Sequence, residues 1–232
     1  MDKERSDILD AYNSLRVADV RDGLDTMMMH HVGSMSPEIR PLFRARAVGI
    51  ARTARYLPYD GTIPTMTPDE YWEWVGWYYA EVCQYTWMDD IEPGDFVVID
   101  ASGVDAGLMG SENTLTGLRR GAVAYVSSGG VRDTDEVILQ KVPFWSRMIS
   151  QSMGQGRLRY DAQDVPVIVG GLTVHPGDVV VADGDGVIVV PRAIALEVAK
   201  HADAEHRRDM VSRRRHYDAL GMQPDETVAG EE

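Results

Sequence analysis

Twice in this chain a Pro-Gly-Asp turn opens directly into a run of β-branched residues. Pro93-Gly94-Asp95 precedes Phe96-Val97-Val98-Ile99, and Pro176-Gly177-Asp178 precedes Val179-Val180-Val181. Proline presets the turn, glycine takes the backbone angle other residues avoid, and an unbroken apolar run suits a strand covered on both faces. The second copy continues through Gly184-Asp185-Gly186, a hairpin signal, into Val187-Ile188-Val189-Val190 and stops at Pro191. Two copies are too few for a solenoid, so they read as recurrent turns of a buried sheet. Residues 47–56, 122–126 and 167–169 carry further strand-like runs.

Helical periodicity fills the spaces between them. Ile8, Leu9, Ala11, Tyr12 and Leu15 make one stripe within residues 3–29, and a second stretch runs from Val17 through Leu24 to Met28. Pro68-Asp69-Glu70 is a helix entry, with a helix expected over 69–88. Residues 111–120 suit a helix, and residues 192–219 a long C-terminal one ended by Gly221. The alternation predicts an α/β sandwich in a single domain spanning 1–232. The acidic stretch 222–232 is expected to be a flexible tail unless it docks on a neighbour.

Composition removes several function classes. The net charge is −14, from 37 acidic and 23 basic residues, and such a surface repels phosphate backbones; no nucleic-acid partner is expected. Arg207, Arg208, Arg213, Arg214 and Arg215 would be spread around a helix, as on a solvated or subunit-contacting one. Cys83 is the single cysteine, which excludes an intrachain disulfide and a Cys-rich zinc site. No run approaches the roughly 18 apolar residues of a membrane span, and no apolar stretch follows the charged N-terminus, so a cytoplasmic protein without a membrane partner is expected. No phosphate loop, dinucleotide fingerprint or nucleophile elbow is present. The adjacent His30 and His31 would point about 100° apart on a helix, a poor arrangement for one metal ion.

Two features carry chemistry. The segment 69–88 holds Trp72, Trp74, Trp77 and Trp87 with Tyr71, Tyr78, Tyr79 and Tyr85. It reads as a subunit interface, a core helix or the lining of a substrate mouth. The second feature is Gly107-Leu108-Met109-Gly110-Ser111-Glu112-Asn113 followed by Ser127-Ser128-Gly129-Gly130-Val131-Arg132-Asp133. A helix start after Gly110 frees backbone N–H groups for an anion, a guanidinium can hold a carboxylate bidentately, and an acid can hold a hard cation. Arg132 and Asp133 could equally form a structural pair.

The stretch from Gly110 through Glu136, with Arg120-Gly121-Ala122-Val123 and Gly129-Gly130-Val131-Arg132-Asp133, resembles the superfamily of the 4-hydroxy-4-methyl-2-oxoglutarate aldolases. These are class II pyruvate aldolases related to the protein called regulator of RNase E activity A, and often mislabelled as demethylmenaquinone methyltransferases. Leu15 through Leu24, Arg40-Pro41-Leu42, Ala47 through Thr53 and the hairpin from Pro176 to Pro191 extend the likeness. The resemblance implies a β-β-α sandwich of the swivelling type, assembled as a homotrimer or homohexamer with sites near subunit boundaries. It implies that Gly110, Ser111, Glu112 and Asn113 bind pyruvate through backbone amides and that Arg132 holds the pyruvate oxygens. Asp133 would ligate Mg²⁺ or Mn²⁺, partly through water, and the metal would stabilise an enolate as the C–C bond breaks.

The chain departs from the pattern at Ser111, where the aldolases carry an acid, and at Ser128, also usually acidic. Glu112 is the expected replacement acid/base, with a carboxylate such as Glu205 of a neighbouring subunit as its aid. The expectation is a metal-dependent carbon–carbon lyase acting on a small oxo-acid or polar carbonyl compound, oxo-acid decarboxylation included. Hydratase or isomerase chemistry at the same metal, or a non-enzymatic regulator acting through protein contacts, are the alternatives.

Overall fold

The structure is a computed structural model that describes residues 3–228. In chain order the elements are α1 (Lys3–Tyr12), α2 (Val17–Thr26), β1 (Arg40–Pro41), β2 (Ala47–Pro58) and α3 (Pro68–Glu81). A 3₁₀ turn (Thr86–Asp90) leads to β3 (Asp95–Asp100), β4 (Gly107–Met109), α4 (Ser111–Arg120), β5 (Ala122–Val131) and α5 (Thr134–Leu139). Then come β6 (Phe144–Ile149), β7 (Leu158–Gln163), β8 (Val167–Val169), β9 (Leu172–Val174), β10 (Val179–Asp183), β11 (Gly186–Val190) and the long α6 (Ala195–Leu220).

Nine strands form one sheet in the order β1-β6-β5-β3-β2-β10-β11, with β4 added to β5 and β7 to β2. The centre, β2-β3-β5-β6, is parallel, and β10-β11 is the antiparallel hairpin that Gly184-Asp185-Gly186 announces. Parallel strands need cover on both faces, and the burial obliges. Phe96, Val98, Val126 and Trp145 pack beneath the β8–β9 hairpin, while Val97, Ile99, Tyr125 and Phe144 point the other way to Tyr78 and Trp87. The helices α1, α2 and α6 close a third cluster over Ile50, Val179, Val181 and Ile188. The α/β class and the long C-terminal helix are as expected, and Gly221 ends that helix in the left-handed conformation at φ 67°.

Two sequence expectations are corrected. The helix expected over 69–88 stops at Glu81, where the Tyr78 carbonyl accepts from both Val82 and Cys83 N–H groups. Local propensity would carry on; tertiary bonds from Tyr56 Oη to the Gln84 carbonyl (2.6 Å) and from Tyr85 Oη to the Leu108 carbonyl (2.6 Å) pull the chain into a turn instead. The strand expected to end at Val126 runs to Val131, so the serine–glycine stretch lies inside β5. Neither Gly129 nor Gly130 has a positive φ. Their role is close approach: a Cβ on Gly129 would stand 2.7 Å from the Ala101 Cβ, and one on Gly130 2.6 Å from the Ser150 Cβ.

Residues 222–228 turn back along α6, with Arg213 Nε donating to the Thr227 carbonyl (2.9 Å) and Val228 buried. Residues 229–232 of the expected tail lie outside the described residues. The arginines of α6 are solvated or paired along it: Arg207 with Asp203, Arg208 with Glu205, Arg213 with Asp209 and Arg214 with Asp218. Cys83 is buried, and burial pushes its thiol up to about 12. No described helix is long and apolar enough to cross a membrane.

Candidate active site

Because β4 and β5 run parallel, with Met109 beside Val131, the residues that follow each strand emerge at the same end of the sheet. Clefts beyond the carboxyl ends of parallel strands are where open α/β sheets present ligand sites. Gly110 and Ser111 follow β4; Arg132 and Asp133 follow β5 and are tied back by the Arg132 N–H donating to the Met109 carbonyl at 3.0 Å. The two turns touch so closely that only glycine fits between them. A Cβ on Gly107 would lie 2.7 Å from the Arg132 Cβ, and one on Gly110 would run into the Asp133 carboxylate.

Asp133 adopts the left-handed conformation (φ 52°, ψ 41°), which aspartate tolerates better than most residues. That turn aims its carboxylate back at the start of α4, where the Ser111 N–H donates to Oδ2 at 3.2 Å. Arg132 Nε donates to Oδ1 at 3.0 Å. The pair is therefore formed in the chain as it stands. Both side chains nevertheless remain about one third exposed, 32% for Arg132 and 30% for Asp133. The first turn of α4 supplies further N–H groups that no preceding turn can use.

Arg132, Asp133, Gly110, Glu112 and Asn113 line one cavity of about 420 Å³. Five of the six candidate residues thus share one cavity, and the sixth, Ser111, turns its N–H to Asp133. Asn113 Nδ2 donates to the Leu108 carbonyl at a long 3.4 Å. Ser128 looks elsewhere: its Oγ donates to Asp100 Oδ1 (3.1 Å) and accepts from the Ala101 N–H (2.8 Å). Glu205 sits on α6 and pairs with Arg208. That helix packs on α1 and α2, so within one chain Glu205 is no part of the cavity.

Sequence reasoning missed Met153 and left open whether the aromatic segment faces the site; Gly107, Leu108, Tyr79, Tyr85 and Met153 complete the lining. The aromatic segment divides its residues among three destinations. Tyr78 and Trp87 are fully buried in the core, Tyr79 and Tyr85 reach the cavity, and Trp72 (64% exposed) and Trp77 (49%) face outward. The cavity tyrosines have their hydroxyls engaged: Tyr79 Oη donates to Gln155 Oε1 at 2.7 Å and Tyr85 Oη to the Leu108 carbonyl. Burial holds both phenols above their ordinary range, well above it for Tyr85.

Among the described residues no group of three or more His, Cys, Asp or Glu is placed to share a metal ion. A hard cation such as Mg²⁺ keeps most of its waters and takes one or two protein carboxylates. Asp133, about one third exposed, with Glu112 on the same cavity, fits that modest demand. A larger cavity of about 590 Å³ lies beside α6 and is lined by Arg16, Arg46, His206 and Arg213. Its arginines serve the fold: Arg46 donates to the Tyr12 and Leu15 carbonyls, and Arg16 holds the buried Asp19.

The sequence profile of the RraA-like family, described as Aldolase/RraA, matches residues 6–189. Among curated relatives, "Protein DlpA" of Legionella pneumophila is 28% identical over 183 residues, covering 78% of this chain and 27% of its own length. A protein of Halalkalibacterium halodurans named "Putative 4-hydroxy-4-methyl-2-oxoglutarate aldolase" is 32% identical over 140 residues, 54% of this chain and 62% of its own. The chain thus spans less than two thirds of either relative. The crystal structure of RraAS2 from Streptomyces coelicolor, an unusual member of the RNase ES inhibitor RraA protein family, superposes with a TM-score of 0.71 at 26% identity. That superposition covers 89% of this chain and 96% of the other.

Proposed function

The chain belongs to the RraA-like (Aldolase/RraA) family, and from that premise we propose that it is a divalent-metal-dependent carbon–carbon lyase acting on a small oxo-acid. One observation carries the reading: Arg132, Asp133 and the first turn of α4 converge on one cavity with Glu112 at its edge. Arg132 would exchange part of its bond to Asp133 for a bidentate grip on the substrate's carboxylate, a geometry a planar guanidinium suits. The free N–H groups at Glu112 and Asn113 would hold the remaining oxygens. Mg²⁺ or Mn²⁺ on Asp133 would supply Lewis-acid stabilisation of the enolate charge. Glu112 would take the proton from the substrate's hydroxyl as the C–C bond opens and return one to the product's methyl carbon. Ser111, where the family's acid is expected, has no carboxylate to share that task.

The substrate partner is thus a small molecule, and the outward Trp72 and Trp77 support a homo-oligomer, a trimer or hexamer, as its working form. A regulator acting through protein contacts is the second reading. It is favoured by Ser111 and by an Asp133 that already has two donors. Calorimetry with Mg²⁺ and Mn²⁺, paired with assays of oxaloacetate decarboxylation and pyruvate-aldol cleavage, separates the two. Metal uptake that vanishes in Asp133→Ala, with turnover of either substrate, supports the lyase; neither uptake nor turnover leaves the regulator.

A further inference from the structure

A 2-oxo-carboxylate head would occupy Arg132 and the first-turn N–H groups of α4. One neutral polar side chain on the same wall is then left over. Asn113, the third residue of α4, carries two hydrogens on Nδ2 and two lone pairs on Oδ1. The fold uses little of that capacity. Nδ2 reaches the Leu108 carbonyl only at 3.4 Å, and Tyr85 Oη already serves that carbonyl at 2.6 Å. The amide's other polar neighbour is the Tyr85 hydroxyl itself. Oδ1 accepts no hydrogen bond from any described residue and is not buried, so it opens on the cavity.

The remaining polar groups of the wall are committed. Tyr79 Oη is bound to Gln155, which is 4% exposed and also donates to Tyr71 Oη at 2.8 Å, and Tyr85 Oη is bound to the Leu108 carbonyl. Turning either tyrosine toward a ligand would strand a buried partner. Turning Asn113 strands nothing, because the Leu108 carbonyl keeps its short bond.

We propose that the Asn113 side-chain amide determines specificity at the far end of the substrate, with Nδ2 donating to a second carboxylate beyond the 2-oxo head. The inference rests on the oxo-acid reading of the cavity and adds a residue to it. Asp133 and Glu112 carry the charges that oppose a second carboxylate on this wall. Asp133 is paired with Arg132, and Glu112, one residue earlier in α4, is turned about 100° round the helix from Asn113. Asn113 adds a donor there without adding charge.

The test is a binding series, read separately from turnover. With Mg²⁺ present, the wild type is titrated calorimetrically with pyruvate, 2-oxoglutarate and 2-oxopentanoate. The last differs from 2-oxoglutarate by a methyl in place of the second carboxylate. 2-Oxoglutarate is expected to bind about tenfold tighter than 2-oxopentanoate, the scale of one charge-assisted hydrogen bond. Asn113→Leu keeps the bulk and the backbone N–H. It is expected to bring the two acids within about twofold of each other, the loss falling on 2-oxoglutarate. Asn113→Asp suits the first turn of a helix, replaces the donor by a charge and is expected to reverse the order. It decides alone should the leucine variant fail to fold. Equal or inverted binding by the wild type, a preference that survives Asn113→Leu, or a loss that falls equally on pyruvate overturns the proposal. Failure of the lyase reading looks different: neither the metal nor pyruvate binds the wild type, and the proposal falls with it.

Discussion

Two aspartates in this molecule pair with arginine in opposite settings. Asp95, at the start of β3, is 1% exposed and receives Arg5 Nη2 at 2.7 Å, Arg52 Nε at 3.0 Å and the Glu92 N–H at 2.9 Å. Asp133, after β5, receives one guanidinium nitrogen at 3.0 Å and one N–H at 3.2 Å, and its side chain is 30% exposed. A buried carboxylate with three short donors has no capacity left for a ligand; it joins α1, β2 and β3. A partly exposed one with two longer bonds and a left-handed backbone has spare lone pairs facing a cavity. Pairing with arginine therefore does not decide between structure and function. Saturation and access do.

The largest effect follows from the saturated member. Asp95→Ala leaves Arg5 and Arg52 with a buried partner missing, which is expected to cost about 3–5 kcal/mol of stability, read as a fall in the urea midpoint. Asp133→Ala at the exposed pair is expected to change stability by no more than about 1 kcal/mol while abolishing metal uptake. Equal losses of stability in the two variants would break the comparison. Next comes Gly110→Ala, whose methyl would displace the Asp133 carboxylate from the start of α4. A shift on the order of 1 Å in a catalytic group costs roughly 10²-fold in turnover, so kcat should fall by about that much. An unchanged kcat would mean that the Asp133 position is immaterial. Arg132→Lys is milder: the charge stays and the planar fork goes. Pyruvate affinity should drop about tenfold, the scale of one charge-assisted bond, measured by calorimetry with Mg²⁺ present.

The same contrast explains what the sequence could show. The strands after Pro93 and Pro176, the hairpin at Gly184 and the helix from Ser111 to Arg120 were legible because turn chemistry and an unbroken apolar run are local signals. The meeting of residues 110–113 with 132–133 was legible because a helix and a strand separate them and bring the ends together. β6 and β7 were not read. Phe144-Trp145-Ser146-Arg147-Met148-Ile149 and Leu158-Arg159-Tyr160-Asp161-Ala162-Gln163 mix charge into the run, and their pairing with β5 and β2 supplies what local pattern lacks. Met153 carries no local sign of facing a cavity, because its place depends on the loop after β6 crossing the start of β4, where the Gly107 N–H donates to the Ser152 carbonyl at 2.8 Å. The fit of Gly129 and Gly130 is hidden from the sequence for a similar reason. Close packing against Ala101 and Ser150 is a long-range fact, and a glycine pair in sequence looks the same whether it turns or fits.

The smallest effect probes the contrast inside a single residue. Tyr85 gives its hydroxyl to the fold, at the Leu108 carbonyl, and its ring to the cavity. Tyr85→Phe removes the first and keeps the second. Leu108 is 2% exposed, so its carbonyl would be left with only the long bond from Asn113 Nδ2. The expected loss is about 1 kcal/mol, the net worth of one neutral hydrogen bond, visible as a lowered urea midpoint. Because the ring persists, pyruvate affinity measured by calorimetry with Mg²⁺ present should persist with it. A variant that kept full stability but lost that affinity would show that the hydroxyl, not the ring, faces the ligand. The division between saturated structural groups and available functional ones would then fail at Tyr85, where the two lie within one side chain.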